Sequence, residues 1–138
     1  MRTLILLKPD SIKKRLIGTV IGRFEKAGFT LRGCKMIKPS KDLLREHYAH
    51  IATKPFYPEV EAFMSSAPVL AMVLEGEDVV AKVREMLGVT DSRKADPGTI
   101  RAEFGVDQMV NVAHASDGAE AAEVEVKRFF RDEEVFAY

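Results

Sequence analysis

Four consecutive aliphatic residues, Leu4-Ile5-Leu6-Leu7, are cut off by Lys8-Pro9-Asp10. The run is too short for the apolar core of a secretory signal or for a membrane span, so it reads as a buried strand. Pro68 to Glu75 is a second, strongly apolar strand. Cover for such strands lies between them. Ile17, Val20, Ile21, Phe24 and Ala27 share one helical face, and Gly28 closes that helix. Phe29 to Lys38 alternates as a strand with one wet face. Ser40 is a candidate N-cap for a helix through Leu43, Leu44, His47 and Tyr48. Lys54 to Pro58 is a break before a helix carrying Val60, Phe63 and Met64.

After the apolar strand, Asp78 starts a helix with Val79, Val80, Val83 and Met86 or Leu87 inward, ended by Gly88. Residues 89–108 are polar and without period, around Asp96-Pro97-Gly98; a loop of about twenty residues in a compact domain is usually functional or disordered. Met109 to His114 reads as the last strand and residues 118–130 as the last helix. The order β-α-β-(αα)-β-α-loop-β-α predicts an α+β fold over a single domain, residues 1–138. A ferredoxin-like four-stranded sheet covered by helices, with a long loop before the last strand, fits it. A flavodoxin-like parallel sheet suits the same order, but the half-polar second strand favours antiparallel pairing.

Net charge is zero, yet residues 1–54 carry 13 Lys/Arg against 4 Asp/Glu and the remainder 8 against 17. The two halves interleave in one fold, and the neutral whole argues against nonspecific nucleic-acid binding. Such binding would also need aromatics among the basic residues of the sheet, and the second strand offers only Phe29. Cys34 is the only cysteine, which excludes a disulfide framework and a thiolate metal site and fits a reducing, cytoplasmic setting.

The chemistry concentrates in Asn111 to Asp117, a short strand ending on His114, after which Asp117-Gly118-Ala119-Glu120 opens a helix. Imidazole attacks near neutral pH without a costly deprotonation, although a lone histidine at a strand end is as readily a satisfied core residue. No glycine-rich phosphate loop is present, so any phosphates must be held by side chains. Candidates are Lys8 at a strand end, Arg84 on a helix, and Thr90 and Arg101 flanking the long loop; read singly, each cation is also an ordinary surface residue. Phe56, between two prolines, is either a base-stacking ring or a core aromatic. His47 and His50 lie at i and i+3 but lack a third ligand, so no metal site is expected there.

Six motifs in register carry a resemblance over essentially the whole chain. They are Lys8-Pro9-Asp10, His47-Tyr48, Lys54-Pro55-Phe56, Gly88 with Thr90, Pro97-Gly98-Thr99-Ile100-Arg101, and Asn111 with His114, Ser116 and Asp117. The chain resembles the nucleoside diphosphate kinases. The resemblance implies ping-pong transfer of the terminal phosphate of a nucleoside triphosphate, typically ATP, to a nucleoside diphosphate through a phosphohistidine at His114 Nδ1. It implies that Lys8 and Asn111 meet the ribose 3′-hydroxyl and phosphates, and that Arg84, Thr90 and Arg101 clamp the terminal phosphates. Phe56 would stack on a base whose edges go mostly unread, giving broad specificity. Glu125 would orient the imidazole with Ser116 in support, and Tyr48 would lie near the transferring group. Mg²⁺ would be bound through the phosphates, with no direct protein ligand, and the chain would form a homo-oligomer, hexamer or tetramer.

The family usually has glycine after the histidine, and here Ala115 stands there; if glycine serves an unusual backbone angle, the methyl group shifts the imidazole and lowers activity. Gly118 replaces a usual serine, Ala102-Glu103 a common Gly-Asp, and Gln108 an apolar residue over the base. A catalytically dead relative would have lost the histidine, the lysine or the arginines, and all are present.

Overall fold

The computed structural model describes residues 1–138. In chain order the elements are β1 (Arg2–Leu7), α1 (Pro9–Lys13), α2 (Ile17–Lys26), β2 (Thr30–Ile37), α3 (Lys41–His47), α4 (Tyr57–Met64), β3 (Val69–Glu75), α5 (Val79–Leu87), α6 (Ile100–Phe104), β4 (Ala113–Ala115) and α7 (Ala119–Phe129). The sheet order is β2-β3-β1-β4 and every pairing is antiparallel, which is the ferredoxin-like arrangement and not the flavodoxin-like alternative. β1 and β3, the two apolar runs, are the central strands. Their uninterrupted hydrophobicity is explained by helices on both faces of the sheet.

Side chains alternate across a strand, so β1 feeds two cores. Ile5 and Leu7 join Val20 and Phe24 of α2, Met72 and Leu74 of β3, and Val79, Val83 and Leu87 of α5. Leu4 and Leu6 face the other way, onto Ala71, Val73, Phe129 and Phe130 beside α7. Each buried aliphatic side chain contributes roughly 1.5–3 kcal/mol relative to exposure. Ser40 caps α3 as its position predicts, accepting from Leu43 N–H at 3.1 Å. No helix is long and apolar enough to cross a membrane.

Three boundaries differ from the sequence reading. Lys8-Pro9-Asp10 ends β1 but also starts α1, because a proline at the first helical positions lacks an N–H that would be unsatisfied there anyway. The segment 89–108 is folded, holding a 3₁₀ turn at Ser92–Lys94 and all of α6, capped by Thr99 accepting from Ala102 N–H. The last strand is Ala113–Ala115 rather than Met109–His114. Val112 delays its start with φ +78° in a three-residue turn closed by Ala113 N–H donating to the Asn111 carbonyl at 3.0 Å. Such a conformation costs a β-branched residue about 1–3 kcal/mol. Long-range bonds hold it: Asp10 Oδ2 accepts from Val112 N–H at 3.0 Å, while Ser11 Oγ and Lys8 N–H donate to the Val112 carbonyl.

Candidate active site

The strained turn at Val112 sets up the site. It sends the Asn111 side chain back toward β1, where Lys8 Nζ donates to Asn111 Oδ1 at 2.8 Å and to the Met109 carbonyl at 3.2 Å. Asn111 Nδ2 in turn donates to the carbonyls of Thr90 and Gln108. Past the turn, β4 alternation buries Ala113 and Ala115 in the α2/α5 core and turns His114 toward α7.

Glu125 waits there. His114 Nε2 lies 2.8 Å from Glu125 Oε1, and Ser116 Oγ donates to the same oxygen at 2.8 Å. Burial alone would raise the Glu125 carboxyl, but the bonds from His114 and Ser116 outweigh it and hold the group well below the usual carboxylate range. An ionised carboxylate only accepts, so Nε2 carries the ring proton and Nδ1 keeps a lone pair. Nδ1 has no protein partner and is open to the cleft.

That cleft has a volume of about 1040 Å³, enough for a small-molecule ligand. Lys8, Tyr48, Phe56, Arg84, Thr90, Arg101, Asn111, His114 and Glu125 all line it; Ser116, fully buried, reaches it only through Glu125. The structure therefore gathers nine of the ten nominated side chains in one place. Phe56 is 51% exposed at the start of α4, which removes the core-aromatic reading and leaves a ring free to stack.

The cations are not alike. Arg84 is half-exposed, pairs with Asp117 at 2.9 Å and donates to the Ala115 carbonyl at 3.3 Å. Arg101 lies inside the long segment rather than at its flank, 5% exposed, and donates to three carbonyls: Asn111 at 3.1 Å, Gly88 at 2.9 Å and Ala113 at 2.7 Å. Three of its five donors thus tie the end of α5 to β4 and two remain. Gly88 has φ +89°, and a Cβ there would stand 2.7 Å from Thr99 Oγ1, so only glycine lets α6 close on α5. Burial and the neighbouring Arg84 push Arg101 down to about 10, and burial with Arg101 pushes Lys8 down to about 8. Like charges gathered where water is scarce are unfavourable without an anion, an arrangement that suits a polyanionic ligand.

A hard divalent cation takes oxygen ligands and commonly arrives with substrate phosphates plus one or two carboxylates. Glu125 is committed to His114 and Ser116, whereas the Asp117 side chain is 85% exposed at the cleft. This set fits a cation carried by a nucleotide better than one caged by protein.

Ala115 does not have the feared backbone angle. It sits in the ladder opposite Ile5, and the positive-φ non-glycine residues are Arg15, Asp78 and Val112. The strain lies three residues upstream. Gly118 caps α7 in extended conformation with open space at its Cβ, so serine would fit. Glu103 pairs with Arg23 of α2, and Gln108 lines the cleft. Sequence reasoning missed Asp10 as the holder of Val112, Asp117 as the partner of Arg84, and His47 as a neighbour of His114. For Asp10 the proline-led helix start was a usable sign; for His47 none existed, since its partners are remote in sequence.

The family model for nucleoside diphosphate kinase matches residues 1–135. A nucleoside diphosphate kinase of Acetivibrio thermocellus is 46% identical over 129 residues, covering 94% of this chain and 95% of that protein. One from Pyrococcus abyssi is 46% identical over 140 residues, covering 99% and 88%. Among solved structures, a halophilic nucleoside diphosphate kinase from Halobacterium salinarum in complex with CDP superposes with a TM-score of 0.97 at 39% identity, over 100% of this chain and 92% of that one.

Proposed function

The chain belongs to the nucleoside diphosphate kinase family and works by that family's phosphohistidine ping-pong transfer, and we propose that His114 Nδ1 is the atom phosphorylated. The supporting observation is the Nε2···Glu125 contact of 2.8 Å, which assigns the proton to one ring nitrogen and the nucleophilic lone pair to the other. A nucleoside triphosphate enters with its base against Phe56 and its terminal phosphates toward Arg84, Thr90 and Arg101. Lys8 and Asn111 meet the sugar hydroxyl and the inner phosphates. Nδ1 attacks the terminal phosphorus as the bond to the bridging oxygen breaks, and the nucleoside diphosphate leaves with that electron pair. As Nδ1 is phosphorylated the ring gains positive charge, which Glu125 stabilises through Nε2–H while Ser116 holds the carboxylate still. A second nucleoside diphosphate then reverses the step. Phosphoryl transfer asks for alignment and charge neutralisation more than for covalent chemistry, and these side chains supply both.

A divalent cation belongs with such nucleotides. Mg²⁺ is the ion we assign, bound through the phosphates with no direct protein ligand; when bound it would neutralise phosphate charge. Every base offers a face to stack on Phe56, which supports broad specificity. Residues 1–138 acting as one domain, a cytoplasmic setting suggested by one free thiol, and a hexameric or tetrameric homo-oligomer complete the reading.

Incubation with γ-labelled ATP alone tests it. The label should be acid-labile and alkali-stable, absent from His114→Ala and chased off by GDP. A label that survives in His114→Ala would remove the proposal.

A further inference from the structure

His47 is a buried ionisable ring in the cleft wall that the transfer just described does not use. It ends α3 and is 6% exposed. Its plane stands nearly perpendicular to three others: His114 at 4.5 Å and 83°, Tyr48 at 4.9 Å and 74°, and Phe129 at 5.1 Å and 82°. Arg128 Nη1 lies 3.0 Å from His47 Nδ1. A guanidinium only donates, so Nδ1 is the acceptor and the single ring proton sits on Nε2, which is buried without a polar partner. Burial, then His114, Arg128 and His50, all oppose a second proton; Glu125 alone favours one, and the balance keeps the ring neutral. Glu46, 3.7 Å from Arg128, is the remaining charge on this wall.

The same wiring decides against a cation. Ligand atoms of His47, His114 and Glu125 gather within 4.8 Å of one another, a spacing that invites a metal. A metal needs a lone pair, and the only one on His47 is taken by Arg128. Metal-bound histidines also donate through their second nitrogen, whereas this one receives. The group is built as a wall.

His114 needs one. A histidine ring turns about its Cβ–Cγ bond in a broad, two-fold potential, and a half-turn exchanges the edge bearing Nδ1 with the opposite edge. The half-turn would also carry Nε2 off Glu125, and that hydrogen bond is the only one the imidazole makes to oppose it. We infer that His47, held in its Nε2–H form by Arg128, is a positioning residue whose perpendicular ring stops the His114 imidazole from turning, so that Nε2 stays on Glu125 and Nδ1 stays toward the nucleotide. Being neutral, it does this without repelling the charge that develops on His114 during transfer. The inference rests on His114 being the phosphorylated residue.

Two measurements test it. The first is the single-turnover rate of phosphohistidine formation from γ-labelled ATP, per folded enzyme, beside the dissociation constant for the nucleotide. His47→Ala should slow formation about 100-fold, the scale of a misplaced reacting group, with nucleotide affinity held within about twofold. His47→Phe restores a flat neutral wall and should recover most of the rate. The second is nitrogen NMR of the native enzyme, in which His47 should stay in the Nε2–H form across about pH 5.5–8.5, where an ordinary imidazole titrates. An unchanged rate in His47→Ala, an equally slow His47→Phe, or a His47 that titrates or carries its proton on Nδ1 would each overturn the inference. Those results leave the reading of His114 intact, which fails separately if His114→Ala still takes up label.

Discussion

Replacing Arg101 by methionine separates a residue that builds the cleft from one that merely lines it. Arg101 donates to the Asn111, Gly88 and Ala113 carbonyls from a 5% exposed position, and methionine leaves all three without that donor. An unsatisfied buried polar group costs about 1–3 kcal/mol, partly offset here by no longer burying a charge, so a net loss of about 3 kcal/mol is expected. With an unfolding entropy of about 2.1 cal/mol/K per residue, a 138-residue chain has about 0.29 kcal/mol/K, and the midpoint should fall about 10 °C. Arg84→Met gives the contrast. Its side chain is 38% exposed and its ion-pair partner Asp117 85% exposed, so the stability change should stay within about 1 kcal/mol, or about 3 °C. Both variants should lose about 10²–10³-fold in kcat, because each removes a cation from the transferring phosphate. Calorimetry and a coupled kinase assay on the two proteins read this directly. An Arg101→Met protein melting within about 2 °C of the parent would refute the structural half of the reasoning.

Further outcomes follow from three individual residues. Burial pushes Lys8 down to about 8, so its charge is lost as pH rises past that value and the apparent KM for nucleotide should climb between pH 8 and about 9.5; Lys8→Arg should remove that rise. The sign for stability is opposite: the fold disfavours the charged lysine, so this penalty is full below about pH 8 and fades as pH approaches the ordinary lysine value of 10.5, as denaturant titrations at several pH values would register. Ala115→Gly should leave kcat within about twofold and cost about 0.5–1 kcal/mol, since Ala115 is an ordinary strand residue; a large gain in kcat would mean that the methyl group does displace the imidazole. Asp10→Ala should cost about 1–3 kcal/mol and lower kcat by freeing the Val112 turn, while Asp10→Asn keeps an acceptor and should lose less of both.

What the sequence disclosed and what it concealed divide along the range of the interactions. Helix and strand identity came from periodicity, as in Val20 and Phe24 or the alternation of Phe29 to Lys38, because those patterns record which face is buried. α1 and α6 were invisible because five residues complete barely one period. The start of β4 was misplaced because Val112 is turned by Asp10, Ser11 and Lys8, all about a hundred residues away. The chemistry-bearing side chains were legible as types in order, and the antiparallel sheet brought nine of them to one cleft. Which residues hold others in place was not legible. Arg101 looked like a free phosphate ligand until its three carbonyls appeared, and His47 looked paired with His50 until tertiary packing set it against His114.

The most direct test of the central claim is the regiochemistry of the phosphorylated enzyme. Phosphorus and nitrogen NMR of the protein loaded with ATP and freed of nucleotide will show which ring nitrogen of His114 bears the group. Attachment at Nδ1, with Nε2–H still bonded to Glu125, is the expected result. Attachment at Nε2, or on another residue, would contradict the account, because the 2.8 Å contact with Glu125 would then not be what selects the nucleophile.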